Sequence, residues 1–416
     1  MTKNIWIMKK FFIIADTQIQ KSTMQQKYKI GIICPYSFPV GMAAATRIIS
    51  YSKGLIQNGA DVEVYSYIWR GDDSDEPLEG CIDGMKYVIP CKFHTKKGKL
   101  YHFFIDRPNI YGGTIRRIKE SHKEKPFDCM LISFDGFHNY RYFLPKIAAM
   151  KIPMVYIADE YPQPLRMLKK KISLWYKIRL KFYHRYFCKR ILMTQALANY
   201  FNKEISPKPT YILNSVLDET RFKEIVRQPV SKPYLCYMGN MQLKKDNVDN
   251  IIKAFSLIAD DFPQYDLFLY GTPHYDDLQI IENCIKQTRM SDRVFIKGRV
   301  DYKEVPQILA NATVLVTSQP NTKRAEGGFP TKMGEYMMSH TPMLVTDVGE
   351  IHEYVQDGIT TFMVAPENPT AYAGKLRYIL NHYNEATKVA ENAFIYANTH
   401  FCAKEVTKDL LPFLRS

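Results

Sequence analysis

Residues Lys29–Tyr67 read KIGIICPYSFPVGMAAATRIISYSKGLIQNGADVEVYSY, and their pattern sets the fold class. Lys29–Cys34 is a continuous apolar run, as expected of a parallel strand covered on both faces. A turn bearing Pro35, Pro39 and Gly41 follows. A small-residue helix then runs from Met42 to Asn58 and ends at Gly59. Asp61–Tyr67 returns to the strand pattern. Strand, helix and strand joined by short connections make a right-handed βαβ unit, the repeat of a doubly wound parallel sheet. Cys129–Phe134, Pro153–Ile157 and Arg190–Thr194 extend the series, whereas residues 71–126 carry no decisive periodicity.

The alternation restarts in the second half. Tyr234–Met238, Asp266–Tyr270, Arg293–Ile296, Ala312–Thr317 and Pro342–Thr346 read as strands. Asp246–Ile258, Asp277–Gln287, Tyr302–Ala310, Pro330–Ser339 and Asn368–Leu380 read as helices between and after them. The expected architecture is α/β, with two Rossmann-like doubly wound domains at residues 28–225 and 226–395. The passage between them lies in the Pro- and Lys-rich stretch Pro207–Pro233. Residues 396–416 are expected to form a C-terminal helix that packs back on the first domain, and residues 1–27 an extension without functional weight. Ligands of open α/β sheets bind beyond the carboxyl ends of the strands. The site is therefore expected in the loops Pro35–Gly41, Phe134–Asn139, Ala158–Pro162, Gly239–Lys245 and Gln319–Phe329.

Composition limits the function classes. The 416 residues are 46% hydrophobic and 24% charged, which excludes a disordered or fibrous chain. Eight scattered cysteines show no metal-binding spacing and read as small buried hydrophobes of a reducing compartment. Near the start, Ile5–Met8 and Phe11–Ala15 are split by Lys9-Lys10 and are too short to span a membrane. The net charge of +15 favours anionic partners. It is concentrated in Pro164–Arg190, which holds ten Lys/Arg and no acid. There Leu168, Ile172, Tyr176, Leu180, Tyr183 and Phe187 fall on one helical face, with Lys170, Lys177, Lys181 and Arg185 opposite. This segment is expected to attach to an anionic membrane surface. No base-reading module is present, so nucleic acid is not an expected partner.

Two segments carry the chemistry. Arg324–Pro342 reads RAEGGFPTKMGEYMMSHTP: a Gly-Gly loop, then Pro330 at the first position of a helix. Unpaired N–H groups of Thr331, Lys332 and Met333 there, with the helix dipole, suit a diphosphate, and Gly328 and Phe329 bring the loop up to it. Lys332 in a first turn makes sense beside an anion. Glu335 is one turn on, and its carboxylate can accept two hydrogen bonds from a diol such as a ribose. The second segment, Met238–Asp246 (MGNMQLKKD), ends the first strand of the second half.

Together these stretches resemble the family-4 glycosyltransferases. The family's Glu-x7-Glu motif and its phrase EYMASGKPVVVTDVGE are matched by Glu335-Tyr336-Met337, Pro342 and Thr346-Asp347-Val348-Gly349-Glu350. The family's Gly-Arg…Lys pattern is matched at Gly239 and Lys245, with Asn240 in place of the arginine. The resemblance implies a GT-B fold. It also implies that Glu335 holds the nucleotide ribose and that Lys245 neutralises the leaving group, helped by Lys244, Arg299 or Lys332. The family's first glutamate falls at Gly327, and the nearest acid is Glu326, one residue away. Gly41 is expected to permit close backbone approach to the ligands, and Arg47 to face the cleft. Of the acceptor-side pair Asp159 and Glu160, Glu160 is favoured as base or orienting group.

The expected activity is transfer of a hexose from a UDP- or GDP-sugar to a lipid-linked or polysaccharide acceptor, with retention, at the cytoplasmic face of the membrane. Asp73-Ser74-Asp75 has DxD form but lies in an acidic, loop-like stretch, so neither a metal nor another cofactor is expected. Alternatives are a phosphorylase or sugar-phosphate synthase of the same fold, and a catalytically silent nucleotide-sugar-binding or membrane scaffold protein.

Overall fold

The computed structural model describes residues 27–39, 41, 43–168 and 172–416. Residues 1–26, Val40, Met42 and Lys169–Lys171 lie outside the described residues, and with them nearly all of the expected extension and the call on Lys170. The side chain of Leu168 is also outside.

The first sheet has eight strands: β1 (Lys29–Cys34), β2 (Asp61–Ser66), β3 (Glu79–Ile82), β4 (Met85–Val88), β5 (Cys129–Ile132), β6 (Met154–Ala158), β7 (Phe187–Leu192) and β8 (Thr210–Ile212). Their order is β3-β4-β2-β1-β5-β6-β7-β8, and all pairs are parallel except β3 with β4. The second sheet has β9 (Tyr234–Met238), β10 (Asp266–Tyr270), β11 (Val294–Gly298), β12 (Val314–Val316), β13 (Met343–Thr346) and β14 (Phe362–Val364). It is wholly parallel, in the order β11-β10-β9-β12-β13-β14. In both sheets the strand order reverses beside the first strand, at β1/β5 and β9/β12. These are the switch points at which helices diverge and a crevice opens. Both expected doubly wound sheets are present.

The differences from the sequence reading have identifiable causes. Residues 71–126 hold a hairpin, β3–β4, turned by Asp83 and Gly84, both at positive φ (49° and 86°). Asp-Gly is the preferred dipeptide for such a turn. The hairpin is followed by helical residues from Lys99 to Glu124. The supposed linker Pro207–Pro233 carries β8, which pairs with β7 and closes the first sheet. Asn247 sits in the left-handed region at φ 46° and splits the expected helix Asp246–Ile258 into Leu243–Asp246 and Val248–Ser256. The end of the chain forms two helices, Tyr383–His400 and Ala403–Arg415, rather than one.

The last helix lies against the helix Ala43–Gln57 of the first domain. Tyr28 donates to the Leu414 carbonyl at 2.9 Å and Lys189 to that of Phe413 at 2.6 Å. A Cβ at Gly54 would stand 2.1 Å from the Ala403 carbonyl oxygen, so the helices approach as closely as they do because residue 54 lacks a side chain. Gly54→Val should therefore cost about 1–3 kcal/mol of stability, read as a lower midpoint in urea unfolding.

The first domain's core contains a buried histidine. His184 is fully buried, neither ring nitrogen has a hydrogen-bond partner, and the ring lies flat on Phe201 at 5.2 Å. Burial, with the nearby charges of Arg190 and Lys208, holds its pKa well below 6.5. The unfolded chain takes up a proton as the pH falls below 6.5 while the folded protein does not. The group thus favours the fold above that pH and costs up to ~1.4 kcal/mol per pH unit on the acid side. Comparing His184→Phe with the parent by urea unfolding from neutral to mildly acidic pH should show a shallower loss in the variant.

Candidate active site

The carboxyl ends of both sheets face one cavity of about 430 Å³. From the first domain, β1 leads to Pro35 and Tyr36, β5 to Ser133, Phe134 and Asp135, β6 to Asp159 and Glu160, and β7 to Met193. From the second, Lys245 follows β9, and Arg324, Gly328, Phe329, Pro330, Thr331 and Lys332 follow β12.

The second-domain wall is cationic, and its arrangement starts with Asp246. This carboxylate is 2% exposed and accepts from the Lys332 ammonium at 2.9 Å. Burial alone would raise its pKa, but the charge and hydrogen bond of Lys332 outweigh that and hold it below the usual range. Lys332 also meets the Tyr237 hydroxyl at 3.1 Å and lies over that ring. A Cβ at Gly239 would stand 2.7 Å from the Lys332 ammonium, so glycine there leaves room for the lysine. Lys332 thus owes its first-turn position to a buried acid, and this corrects the reading that an anion alone explains it. Lys245, by contrast, has neither hydrogen bond nor ion pair among the described residues. Burial depresses its pKa; Asp246 opposes that shift, while Arg324 and Lys332 deepen it.

The helix after the Gly-Gly loop begins two residues later than the pattern suggests. It spans Lys332–Met338 with Thr331 as N-cap, and the Met333 amide is taken by the Pro330 carbonyl at 2.9 Å. Thr331 and Lys332 keep exposed-end amides; Met333 does not. The expected flexible loop is itself ordered. Lys323–Gly327 forms a helical turn whose N-cap, Thr322, accepts from the Ala325 amide.

The first-domain wall carries acids. Both Glu160 oxygens are taken, by Arg166 and by Arg324, the latter at 2.9 Å. Burial would raise the pKa of Glu160, but the two arginines hold it low. A carboxylate so clamped is a poor proton acceptor. Asp159 is the better one: burial raises its pKa against the pull of Arg47, with Glu160 and Asp135 adding to the rise. Its Oδ1 lies 3.2 Å from Arg47 Nε without a formed hydrogen bond. The preference for Glu160 is thereby reversed. Asp135, unnamed by the sequence reading although its loop was, receives hydroxyls from Tyr140 and Tyr156 at 2.9 and 2.6 Å.

Other expected residues serve elsewhere. Arg47 touches the cavity, but its guanidinium is spent on the Leu213 and Asn214 carbonyls and the Tyr51 hydroxyl. A Cβ at Gly41 would meet Ala45 at 2.4 Å and the Ser37 carbonyl at 2.6 Å, so this glycine answers to its own loop. Glu326 is not in the cavity wall; it accepts from Tyr161 at 2.9 Å and pairs with Lys323. Asn240 and Arg299 are exposed and outside the cavity lining. Glu335 is also outside it, held by Arg221, whose guanidinium lies 3.4 Å over the Tyr302 ring. Nothing in the sequence pattern signals Arg221. Asp73 and Asp75 are exposed, and among the described residues no group of His, Cys, Asp or Glu is placed to hold a metal ion.

The domains meet across this cavity. Glu350 caps the helix Gln195–Tyr200, accepting from the Gln195 and Ala196 amides at 2.9 and 2.6 Å. Thr194 donates to the Gly327 carbonyl at 3.1 Å, and the Arg324–Glu160 and Tyr161–Glu326 contacts complete the seam.

Comparison with known proteins agrees with this geometry. Residues 218–395 match the family described as glycosyl transferases group 1. Similar folds include sucrose-phosphate synthase from Thermosynechococcus elongatus (TM-score 0.71, 14% identical, covering 94% of this chain and 98% of that one). Anabaena HepE, solved with UDP and glucose, superposes at 0.67 with 14% identity over 93% and 99% of the two chains. The fold is GT-B. WaaG, a glycosyltransferase involved in lipopolysaccharide biosynthesis, shares this GT-B architecture at TM-score 0.60 and 17% identity, covering 92% of this chain and 98% of its own. No curated protein matches the sequence.

Asp246→Ala should leave Lys332 as an unpaired, mostly buried cation and cost about 3 kcal/mol. Adding Lys332→Met should recover part of that loss in a double-mutant cycle by urea unfolding.

Proposed function

We propose that this GT-B protein is a glycosyltransferase that moves a hexose from a UDP- or GDP-sugar to a lipid-linked or polysaccharide acceptor, with retention. The observation that carries the reading is Lys245: among the described residues its ammonium has no ion-pair partner, and it lies half-buried beside Arg324 and Lys332 at the carboxyl edge of β9. Such a surplus of positive charge favours an anion, and a departing nucleoside diphosphate has the matching charge. The Thr331 and Lys332 amides supply further donors at the same wall. The match to glycosyl transferases group 1 over residues 218–395 supports a sugar-transfer chemistry, and the UDP present in the HepE structure is a donor fragment of the kind proposed.

In this mechanism Lys245 and Arg324 stabilise the negative charge that builds on the leaving phosphate. Glu335 holds the ribose diol once Arg221 gives way. The acceptor hydroxyl approaches from the opposite wall, where Asp159 is suited to receive its proton and Asp135 to orient its sugar ring. Glu160 positions Arg324 rather than acting as a base. The basic segment Pro164–Arg190 keeps the enzyme at the cytoplasmic membrane face, where a lipid-linked acceptor is reached. Among the described residues no helix is long and apolar enough to cross a membrane.

UDP, GDP and their sugars should raise the unfolding temperature of the purified protein; a ligand at a hundred times its Kd stabilises by about 2.7 kcal/mol. Lys245→Ala should lower transfer at least tenfold while the fold is retained. Full activity in that variant, or no shift with any nucleotide sugar, would overturn the reading.

A further inference from the structure

The outer side of the helix Leu174–His184, expected to be basic, carries large apolar side chains among its basic ones. Tyr176, Leu180 and Tyr183 turn inward, as the spacing requires. Leu174, Trp175, Ile178 and Phe182 point to solvent, with Trp175 76% and Leu174 71% exposed. They repeat at intervals of three, four and seven and make one continuous stripe.

A second stretch shows the same property. In the helical turn after Gly98, Leu100, Phe103, Phe104 and Ile105 are all exposed, Leu100 at 76% and Phe104 at 65%. The turn is pinned from beneath by Asp106, which is buried and bonds Nδ1 of both His94 and His102 at 2.7 Å. Its apolar side chains are therefore displayed by a fixed support.

The two stretches flank the start of the helix Phe137–Ala149. On one side Phe137 meets Tyr176 at 4.7 Å and carries Arg179 over its ring at 4.3 Å. On the other, Tyr111 donates to Asn139 at 2.8 Å, and Arg107 lies over both Tyr111 and Phe103. The same β5 loop supplies Asp135 to the cavity, so the apolar shelf borders the acceptor side of the cleft.

Positive charge predominates on the shelf. Lys96, Lys97, Lys99, Arg179, Lys181 and Arg185 are exposed among the apolar residues. Acids nearby are fewer: Asp106 is buried against the two histidines, Glu204 is paired with Lys177 at 2.7 Å, Asp72 accepts from Thr95, and Asp73 is exposed beside Gly71. A second copy of the chain would bring like charges together in a two-fold contact. Anionic headgroups complement the cations, and the acyl boundary takes the aromatic and aliphatic side chains.

The geometry points to a two-segment membrane-insertion face, residues 96–107 with residues 174–185, that seats the first domain on an anionic bilayer with the acceptor side of the cleft at the lipid boundary. This deepens the membrane reading given above by adding a segment and an insertion mode, and its test is independent of transfer.

The test is flotation of the full chain with vesicles of equal parts phosphatidylglycerol and phosphatidylcholine, and with pure phosphatidylcholine. Binding should require the anionic lipid and weaken with salt. The double variant Phe103→Ser/Phe104→Ser and the variant Trp175→Ser should each lower partitioning at least tenfold. In the parent protein, tryptophan emission should shift to the blue on vesicle binding, and Trp175→Ser should remove most of that shift, leaving at most the part from Trp69 beside His102. All three positions are exposed, so the unfolding temperature and transfer to a water-soluble acceptor should stay unchanged, which separates failure here from failure of the catalytic reading. Absence of vesicle binding, unchanged binding in both variants, or a lipid-independent dimer dissolved by Trp175→Ser would overturn the inference.

Discussion

The buried Asp246 carboxylate is the fixed point of the cleft. It is one acid among three neighbouring cations, and it satisfies only one of them. Lys332 is drawn down to it, over Tyr237 and through the space that Gly239 leaves. Arg324 is drawn across the cleft to Glu160. Among the described residues the Lys245 ammonium remains without an ion-pair partner in a half-buried position, which is costly for a cation unless something anionic arrives. The surplus of positive charge at this wall follows from this shortage of acids rather than from any single residue.

Much of the fold was readable because parallel strands buried on both faces are continuous apolar runs, as in Lys29–Cys34 and Tyr234–Met238. Short or half-covered elements were not. β8 has three residues, and the exposed β3 has too little apolar content to stand out. That the loops after the strands line one cavity follows from topology alone, since crevices open where strands end. The roles inside those loops depended on partners far away in the chain. Glu335 cannot be seen to meet Arg221, nor Glu160 to meet Arg324, from local spacing, and Asp159 differs from Glu160 only in which arginines reach it. The outward apolar stripe of Leu174–His184 is hidden for a related reason: the helical period of the buried residues is the stronger signal, and the outward apolar residues alternate with basic ones.

Arg221 bears on how selective the nucleoside end of the cleft can be. Its guanidinium is layered on Tyr302 and paired with Glu335, so two planar groups and the carboxylate proposed to hold a diol lie together outside the cavity wall. A carboxylate already matched to a guanidinium yields only to a ligand that replaces those contacts as well as the charge. Weakly matched nucleosides would leave the pair closed.

Arg324, Glu326 and Gly327, three of the residues that bridge the two domains, belong to the loop that borders the cavity on its second-domain side. Such a loop works as a latch whose catch is also the lock. Anything that reshapes it from within the cleft loosens the grip on the other domain, and swinging the domains apart pulls the same residues away from the phosphate end. Entry, closure and release of a ligand would then be stages of a single hinge movement, and its stiffness would be set by a handful of polar contacts along the seam.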